Sequence, residues 1–172
     1  MLLLTEGTPE TCMLSCCVGL RSIRPERLSK AKHIHKIKAV CYLEPCLDPD
    51  IRQETIDKAV MALTMHEFDA IAFRGLSGAL LAPIVALQMG KTLIAVRKGE
   101  STHSSRDVEG DYGARRYVII DDIVSSGDTV RAIIADIKTE NPEAYCIGVY
   151  QYLRTNAEVK TVDDVLRPWQ RP

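Results

Sequence analysis

Two adjacent carboxylates, Asp121 and Asp122, follow an apolar run in the stretch YVIIDDIVSSGDTV, residues 117 to 130. The apolar run has the length and composition of a buried strand. Neighbouring carboxylates repel each other, and burial adds to the free-energy cost of keeping both ionised. A ligand can offset that cost, either through sugar hydroxyl groups that donate hydrogen bonds or through a divalent cation.

A short, hydroxyl-rich loop comes directly after the acidic pair and reads Ser125-Ser126-Gly127-Asp128-Thr129. The apolar positions that follow it predict a helix, so the loop forms the amino end of that helix. Helix amino ends present free backbone N–H groups and a partial positive charge, which favour phosphate. Gly127 lets the backbone approach a ligand closely. The segment thus offers acceptors for hydroxyl groups beside donors for phosphate, a combination that suits a sugar phosphate.

Two other interpretations of the acidic pair come from known patterns. The acidic strand end of a P-loop ATPase is similar, but that fold also needs the pattern G-x-x-x-x-G-K-[ST]. The chain has Gly90-Lys91-Thr92, and Val85 stands where the first glycine belongs, so this interpretation is rejected. The simpler alternative is a strand end with a solvated acidic pair and a serine that caps the next helix.

The rest of the chain alternates between strand and helix patterns, which indicates the α/β class. Four apolar strands are expected at 69–73, 92–96, 117–120 and 145–153, and an alternating pattern favours another at 33–43. Helices are expected at 50–66, at 79–89, and around Val130, Ile133, Ile134 and Ile137. Strands that are apolar along their whole length are typical of a parallel sheet with helices on both faces.

Three predicted loops follow the carboxyl ends of these strands: 74–78, 97–116 and 121–129. In open α/β sheets, ligands bind at the carboxyl edge of the strands. We therefore expect the three loops to lie together and to form one ligand site.

Composition limits the classes of function. The chain has 172 residues, a formal net charge of -1 and a hydrophobic content of 46%, values that fit a single soluble domain. They disfavour a nucleic-acid binder. No segment approaches the roughly 20 apolar residues of a membrane span, and the amino-terminal apolar run lacks a basic leader. We expect a cytoplasmic protein with no membrane or nucleic-acid partner.

Five of the six cysteines fall within the first 46 residues, with His33 and His35 among them. Their spacing matches no zinc-binding pattern. Reduced thiols that fill small apolar gaps are the simpler interpretation, and a metal site among these residues is the alternative.

Three stretches resemble the type I phosphoribosyltransferases. Residues 117–130 closely resemble the family signature that binds phosphoribosyl diphosphate (PRPP). FRGLSG, residues 73–78, resembles the pyrophosphate-binding loop, and LIAVRKGESTHS, residues 93–104, resembles the strand with an Arg-Lys pair before a mobile loop. The resemblance covers about residues 50–153, the predicted core, and implies that a hood comes from 1–48, from 154–172, or from both.

The resemblance implies a Mg²⁺-dependent enzyme that transfers the phosphoribosyl group of PRPP to a nitrogen of a nucleobase and releases pyrophosphate. Asp121 and Asp122 would hold the ribose hydroxyls, directly or through magnesium-bound water. The loop after them would hold the 5-phosphate. The implied PRPP-binding residues are Arg74, Gly75, Leu76, Ser77, Gly78, Arg97, Lys98, Asp121, Asp122, Ser125, Ser126, Gly127, Asp128 and Thr129.

The residues that assist catalysis and bind the base are also expectations from the resemblance. Residues 99–113 suit a mobile lid. Orotate enzymes carry a lysine where this chain has Ser101, so a purine base is favoured and orotate comes next. His103 or Arg106 would supply the missing charge, and Tyr152 and Arg154 would contact the base.

The family often has glycine where this chain has Asp128. A carboxylate beside a phosphate must point away or meet a cation. Two alternatives to the enzyme remain: a regulatory protein of the same fold that binds PRPP or nucleotides without significant catalysis, and a degenerate member that serves as a scaffold. Family members are commonly dimers, and a homodimer is expected on that ground.

Overall fold

A six-stranded mixed sheet forms the centre of the protein. The computed structural model describes residues 42–99, 106–154 and 158–166. The strands are β1 Ala70–Arg74, β2 Thr92–Val96, β3 Val108–Gly110, β4 Arg116–Asp121, β5 Tyr145–Gln151 and β6 Val159–Lys160. They lie in the order β3-β2-β1-β4-β5-β6. The four central strands are parallel, and β3 and β6 pair with their neighbours in the antiparallel direction.

Helices cover both faces of the sheet, as the α/β pattern predicts. They are α1 Glu44–Leu47, α2 Pro49–Thr64, α3 Gly75–Met89, α4 Asp128–Glu140 and α5 Val162–Leu166. Successive strand residues point to opposite faces, and β4 divides its side chains in this way. Val118 and Ile120 join the core with α2 and α3, whereas Tyr117 and Ile119 join the core with α4 and α5.

The predicted strands 69–73, 92–96 and 117–120 and the predicted helix 50–66 are confirmed within two residues at each end. The start of α2 follows the expected capping. The carboxylate of Asp48 accepts a hydrogen bond from the backbone N–H of Asp50 at 2.9 Å, and Pro49 occupies the first helical position.

The expectation of a loop at 74–78 is wrong for most of its length, because α3 begins at Gly75. Gly75 has a φ of +77°, so it turns the chain directly from β1 into the helix without an intervening loop. The apolar positions used for the prediction mark only the later turns. They miss the first turn, because Gly75, Ser77 and Gly78 bring no apolar side chain to the pattern and Leu76 is exposed.

Two further expectations need correction. The stretch 97–116 is not irregular throughout, because β3 lies within it and Arg116 begins β4; the sheet is therefore mixed and not wholly parallel. A strand of three residues is too short to show a period. The last predicted strand, 145–153, is confirmed as β5, which ends two residues earlier at Gln151. Of the predicted strand 33–43, residues 33–41 lie outside the described part, and a turn occupies Tyr42 and Leu43.

Within the described ranges, no helix has the length and apolar character needed to cross a membrane. Whether the chain forms a single domain with a hood over the core stays a prediction.

Asp69 ties the start of β1 to the start of β4. Its Oδ2 accepts hydrogen bonds from the backbone N–H groups of Arg115 at 3.1 Å and Arg116 at 2.9 Å. Its Oδ1 lies 3.4 Å from Nη2 of Arg116. The backbone hydrogen bond from Arg116, which favours the ionised carboxylate, is the main reason that the pKa of Asp69 lies below its ordinary value.

We expect Asp69→Ala to lower the free energy of unfolding by about 1 kcal/mol at pH 7, because two backbone donors lose their acceptor. A lowered folded pKa means that the stabilisation is present above the unfolded pKa and is lost as pH falls through the folded value. The difference from wild type, measured by urea unfolding, should therefore shrink below about pH 4. Asp57→Ala on the exposed face of α2 is the control for charge. An equal difference at pH 7 and pH 3 would contradict this role.

Candidate functional site

The carboxylate of Asp121 is buried at the end of β4 and is held from two sides. Its Oδ1 accepts a hydrogen bond from the Ser77 hydroxyl at 2.8 Å and one from the backbone N–H of Asp122 at 3.0 Å. Only 7% of Asp121 is exposed. Because Ser77 lies in the first turn of α3, this contact joins the predicted segments 74–78 and 121–129, as the sheet rule predicts.

Burial raises the pKa of Asp121, and the charge of Asp122 raises it further. The hydrogen bond from Ser77 opposes this shift, because it favours the ionised form. Asp122 is half-buried, and its Oδ1 accepts a hydrogen bond from the backbone N–H of Ile123 at 2.7 Å. Two carboxylates are thus fixed in place by neutral hydrogen-bond donors, which is the chemistry expected of a site for a cation or for hydroxyl donors.

The loop after the acidic pair forms a small cavity at the amino end of α4. The cavity has a volume of about 100 Å³ and is lined by Asp121 and by residues 123–129. Gly127 precedes the helix with a φ of +80°, a conformation that favours glycine. Ser125, Ser126, Gly127, Asp128 and Thr129 therefore lie together at one cavity, as the sequence predicts.

The carboxylate of Asp128 contacts a cation. The sequence predicts that it must either do so or point away from a bound phosphate. Its Oδ1 lies 3.1 Å from Nη1 of Arg131, and its Oδ2 accepts a hydrogen bond from the Ser126 hydroxyl at 2.6 Å. Arg131 is a residue that sequence reasoning missed. The spacing of an acid and a base at i and i+3 on a predicted helix is the signal that could have found it.

The first turn of α3 approaches the end of β4 closely. A Cβ atom at Gly78 would lie 2.6 Å from Cβ of Phe73 and 2.9 Å from the carbonyl oxygen of Ile120. A side chain at this position would push α3 away from β4 and would lengthen the contact between Ser77 and Asp121. Gly78 therefore has a packing role that positions the acidic pair.

Lys98 lies across the same turn. A Cβ atom at Gly75 would be 2.9 Å from Nζ of Lys98, so the ammonium group is placed beside the backbone at the start of α3. The third predicted loop thus reaches the site through Lys98. Leu76, between these glycines, is exposed.

Arg74 and Arg97 both contact carboxylates. Nη1 of Arg74 lies 3.2 Å from Oδ2 of Asp136 on α4, and Nη2 of Arg97 lies 2.7 Å from Oε1 of Glu109 on β3. A cavity of about 290 Å³ is lined by Arg74, Arg97, Gly99, Asp107 and Asp136. Two cations are therefore held near the carboxyl edge of β1 and β2, each beside an acidic partner.

Tyr152 and Arg154 follow β5 and lie beside the acidic pair. The backbone N–H of Tyr152 donates to the carbonyl of Asp121 at 3.2 Å. The Tyr152 hydroxyl lies 3.5 Å from the carbonyl oxygen of Ser77, and Nε of Arg154 lies 3.3 Å from Oε1 of Gln151. Burial raises the pKa of Tyr152, so its hydroxyl stays protonated.

A cavity of about 270 Å³ adjoins these two residues. It is lined by Pro45, Ile51, Glu54, Thr55, Lys58, Tyr150, Tyr152, Leu153 and Arg154. Tyr150 and Tyr152 are almost fully buried. They therefore offer little ring surface for stacking, and the accessible polar groups of this cavity belong mainly to α2 and Arg154.

Gln151 is a second residue that sequence reasoning missed. Its side chain is 5% exposed, and its Oε1 accepts a hydrogen bond from the backbone N–H of Val124 at 2.9 Å. It thereby fixes the loop between the acidic pair and the helix. No local pattern announces this contact, because the partners are far apart in the sequence and meet only through the pairing of β4 with β5.

The predicted lid is only partly described. Ser101 and His103 lie outside the described residues. Arg106 is exposed, with its guanidinium carbon 5.3 Å from the centre of the Tyr112 ring. The far end of the predicted lid, 99–113, contains β3 and is not irregular throughout; the mobility of the lid stays a prediction. Gly110 leaves no room for a side chain against the Leu93 carbonyl of β2.

The possible cysteine–histidine metal site falls mostly on residues 1–41, outside the described part. In the ranges that are described, no group of three or more histidine, cysteine, aspartate or glutamate side chains is arranged to hold a metal ion. Cys46, the described member of the amino-terminal set, is a buried free thiol whose pKa is raised by burial.

Removal of the buried charge of Asp121 should stabilise the protein without ligand. Burial raises the pKa of Asp121 to about 6, so its contribution to stability is full below the unfolded pKa of roughly 4 and is lost as pH rises through the folded value. We expect Asp121→Asn to be more stable than wild type by about 1–3 kcal/mol at pH 8 and nearly equal at pH 4. Thermal unfolding across this range measures the difference, with Asp57→Asn as the control for net charge. An advantage that does not grow with pH would contradict the assignment.

Known proteins resemble this chain in part of its sequence and in its fold. No family model matches the chain. Over 84 residues the chain is 38% identical to adenine phosphoribosyltransferase from Bifidobacterium longum subsp. infantis, which covers 46% of this chain and 42% of that protein. The chain thus spans less than half the length of the curated relative that it matches.

Solved structures share the fold. UMP synthase from Leishmania donovani superposes with a TM-score of 0.55 and 23% identity, over 65% of this chain and 24% of that chain. Adenine phosphoribosyltransferase from Thermoanaerobacter pseudethanolicus gives a TM-score of 0.52 and 21% identity, over 63% of this chain and 72% of that chain. The resemblance to the type I phosphoribosyltransferase family is therefore confirmed, in the fold and in nearly half of the sequence.

Proposed function

We propose that the protein is a phosphoribosyltransferase that moves the 5-phosphoribosyl group of PRPP to a nitrogen of a nucleobase and releases pyrophosphate. The observation that carries the proposal is the hydrogen bond from Ser77 to Asp121. It brings together the segment that the resemblance assigns to pyrophosphate and the segment that it assigns to ribose 5-phosphate. One PRPP molecule spans both groups, so both segments must face a common space.

The positions of the side chains suggest how PRPP lies in the site. The amino end of α4 would hold the 5-phosphate through backbone N–H groups and hydroxyls. Asp121 and Asp122 would accept hydrogen bonds from the ribose hydroxyls. The start of α3, with Lys98 across it, would face the pyrophosphate.

The two carboxylates fit Mg²⁺, which prefers oxygen ligands and commonly binds one or two carboxylates together with substrate phosphates. The donors to the Asp121 carboxylate, the Ser77 hydroxyl and the backbone N–H of Asp122, are neutral, and they leave the charge of the acidic pair for an ion to balance. Asp121 and Asp122 would hold the ion, through water. When bound, Mg²⁺ would neutralise charge on the pyrophosphate leaving group.

The chain itself would contribute position and electrostatics. Phosphoribosyl transfer passes through a cation-like ribose, so a protein nucleophile is unnecessary. The carboxylates of Asp121 and Asp122 would lie near the developing positive charge of the ribose. Cations at Lys98, Arg74 and Arg97 would lie near the departing pyrophosphate, the arrangement that lowers the barrier through preorganised charge.

Arg74 and Arg97 would have to change partners, or share them, to bind pyrophosphate. Arg74 contacts the carboxylate of Asp136, and Arg97 contacts that of Glu109. The pair of Arg97 and Glu109 is the more exposed of the two, and exposed ion pairs contribute little to stability. A pyrophosphate group with several negative charges can therefore compete for the Arg97 guanidinium at low cost.

A purine is the favoured acceptor base, because the relative with 38% identity is named for adenine. Orotate comes next, since Ser101 replaces the lysine found in orotate enzymes. Tyr152 and Arg154 would contact the base from the cavity beside the acidic pair. His103 or Arg106 would act from the lid.

The test is pyrophosphate release from PRPP and Mg²⁺ with adenine, hypoxanthine, guanine, xanthine, uracil or orotate, and with no base. We expect release that requires one base. Asp121→Asn combined with Asp122→Asn should lower turnover by about 100-fold or more, since two charged groups near the reacting ribose are lost. The control, Asp50→Asn with Asp57→Asn, removes the same charge from the exposed face of α2 and should keep turnover within about twofold of wild type.

Unchanged turnover in the Asp121 and Asp122 double variant would contradict the proposed site. Binding of PRPP without release for any base would contradict the enzyme and favour the regulatory alternative. Circular dichroism and the melting temperature of each variant separate loss of activity from loss of folding.

A further inference from the structure

The segment proposed to bind phosphate carries an excess of negative charge. Residues 121–131, which include the acidic pair and this loop, contain three aspartates, Asp121, Asp122 and Asp128, and one cation, Arg131. A phosphate dianion at the amino end of α4 adds further negative charge to this region. The helix end supplies only a partial positive charge. A full positive charge near the loop, that of Arg131, would therefore help to balance the phosphate and the aspartates.

Arg131 lies directly against the loop. Its Nη1 donates a hydrogen bond to the carbonyl of Ser126 at 3.0 Å and contacts Oδ1 of Asp128 at 3.1 Å. The same Nη1 would be 3.4 Å from a Cβ atom at Gly127. The guanidinium therefore contacts the backbone and the acidic side chain of the loop at once, although it belongs to the next turn of the helix.

Asp128 is the side chain whose charge Arg131 neutralises. It occupies the first position of α4, and its side chain is 82% exposed. It also accepts the Ser126 hydroxyl, a group that could otherwise donate to a phosphate. Without Arg131, the carboxylate would repel a phosphate at the helix end.

Stability does not account for the pair of Asp128 and Arg131. Both side chains are largely exposed, with 43% of the Arg131 side chain accessible. Exposed pairs at i and i+3 stabilise a helix only slightly. Beside a bound dianion, the same contact has a larger effect, because it decides whether the ligand meets a carboxylate or a neutralised pair.

We propose that Arg131 is a positioning residue for the 5-phosphate of PRPP: it neutralises Asp128, so that a loop with an acidic residue still binds a phosphate dianion. The inference rests on the proposed function. The inference goes beyond the proposed function, because it assigns a joint role at the phosphate loop to two side chains of opposite charge.

The test is a double-variant cycle on PRPP affinity, measured by calorimetry with Mg²⁺ on the full chain. Arg131→Gln should raise the Kd for PRPP by about tenfold, because the charge of Asp128 is then unbalanced. Asp128→Asn should bind as tightly as wild type or more tightly. The double variant, Asp128→Asn with Arg131→Gln, should return to within about threefold of wild type, since the repulsive carboxylate is gone as well.

Three further measurements separate positioning from a structural role. Arg131→Lys, which keeps the charge, should keep most of the affinity. Arg131→Gln should raise KM for PRPP and leave kcat within about twofold. Lys138→Gln removes one positive charge from the exposed last turn of the same helix, and it should change the Kd by less than about twofold.

Each other outcome overturns the inference. Wild-type affinity in Arg131→Gln means that the pair has no effect on phosphate. Affinity in the double variant that is as weak as in Arg131→Gln means that Arg131 does not act through Asp128. If the wild-type protein binds no PRPP, the proposed function fails, and this inference fails with it. If the wild type binds PRPP and only the cycle fails, the proposed function stands.

Discussion

The hydrogen bond between Ser77 and Asp121 is the contact on which the arrangement of the site depends. It joins the first turn of α3 to the end of β4, two places separated by 44 residues in the sequence. It also favours the charge of a carboxylate that burial disfavours. A hydroxyl from one segment therefore orients an acidic group in another segment and favours its ionised form.

The sheet order makes this contact possible. Because β1 lies between β2 and β4, the segments that follow these three strands begin at adjacent points on one edge. Gly78 then lets α3 approach the backbone of Ile120, and Gly75 leaves room for Lys98. Small residues at the start of the helix thus allow three segments to converge, in a region where larger side chains would separate them.

Charged side chains around the site are arranged mainly in pairs of opposite sign. Most of its charged groups have a partner of opposite sign: Arg74 with Asp136, Arg97 with Glu109, and Arg131 with Asp128. Asp121 differs, because its hydrogen-bond partners, Ser77 and the backbone of Asp122, are neutral. The acidic pair is therefore the place in the described site where a cation or hydroxyl donors would relieve the largest electrostatic cost.

The sequence predicts the central strands because β1, β2 and β4 are short apolar runs between polar segments, a local signal that burial on both faces requires. It also places Asp121, Asp122 and the loop up to Thr129 at one edge. It does not predict that α3 starts at Gly75 or that β3 exists, because a turn of small residues and a strand of three residues show no period. The partners of Arg74, Ser77 and Gln151 depend on which strands become neighbours, and that information is not local.

The most direct test of the central claim is a crystal structure of the protein with Mg²⁺ and PRPP. We expect the 5-phosphate at the amino end of α4, the ribose hydroxyls within hydrogen-bonding distance of Asp121 and Asp122, and the pyrophosphate at the start of α3 beside Lys98. PRPP bound elsewhere, or bound with its 5-phosphate away from residues 125–129, would contradict the claim that the acidic pair and this loop form one sugar-phosphate site.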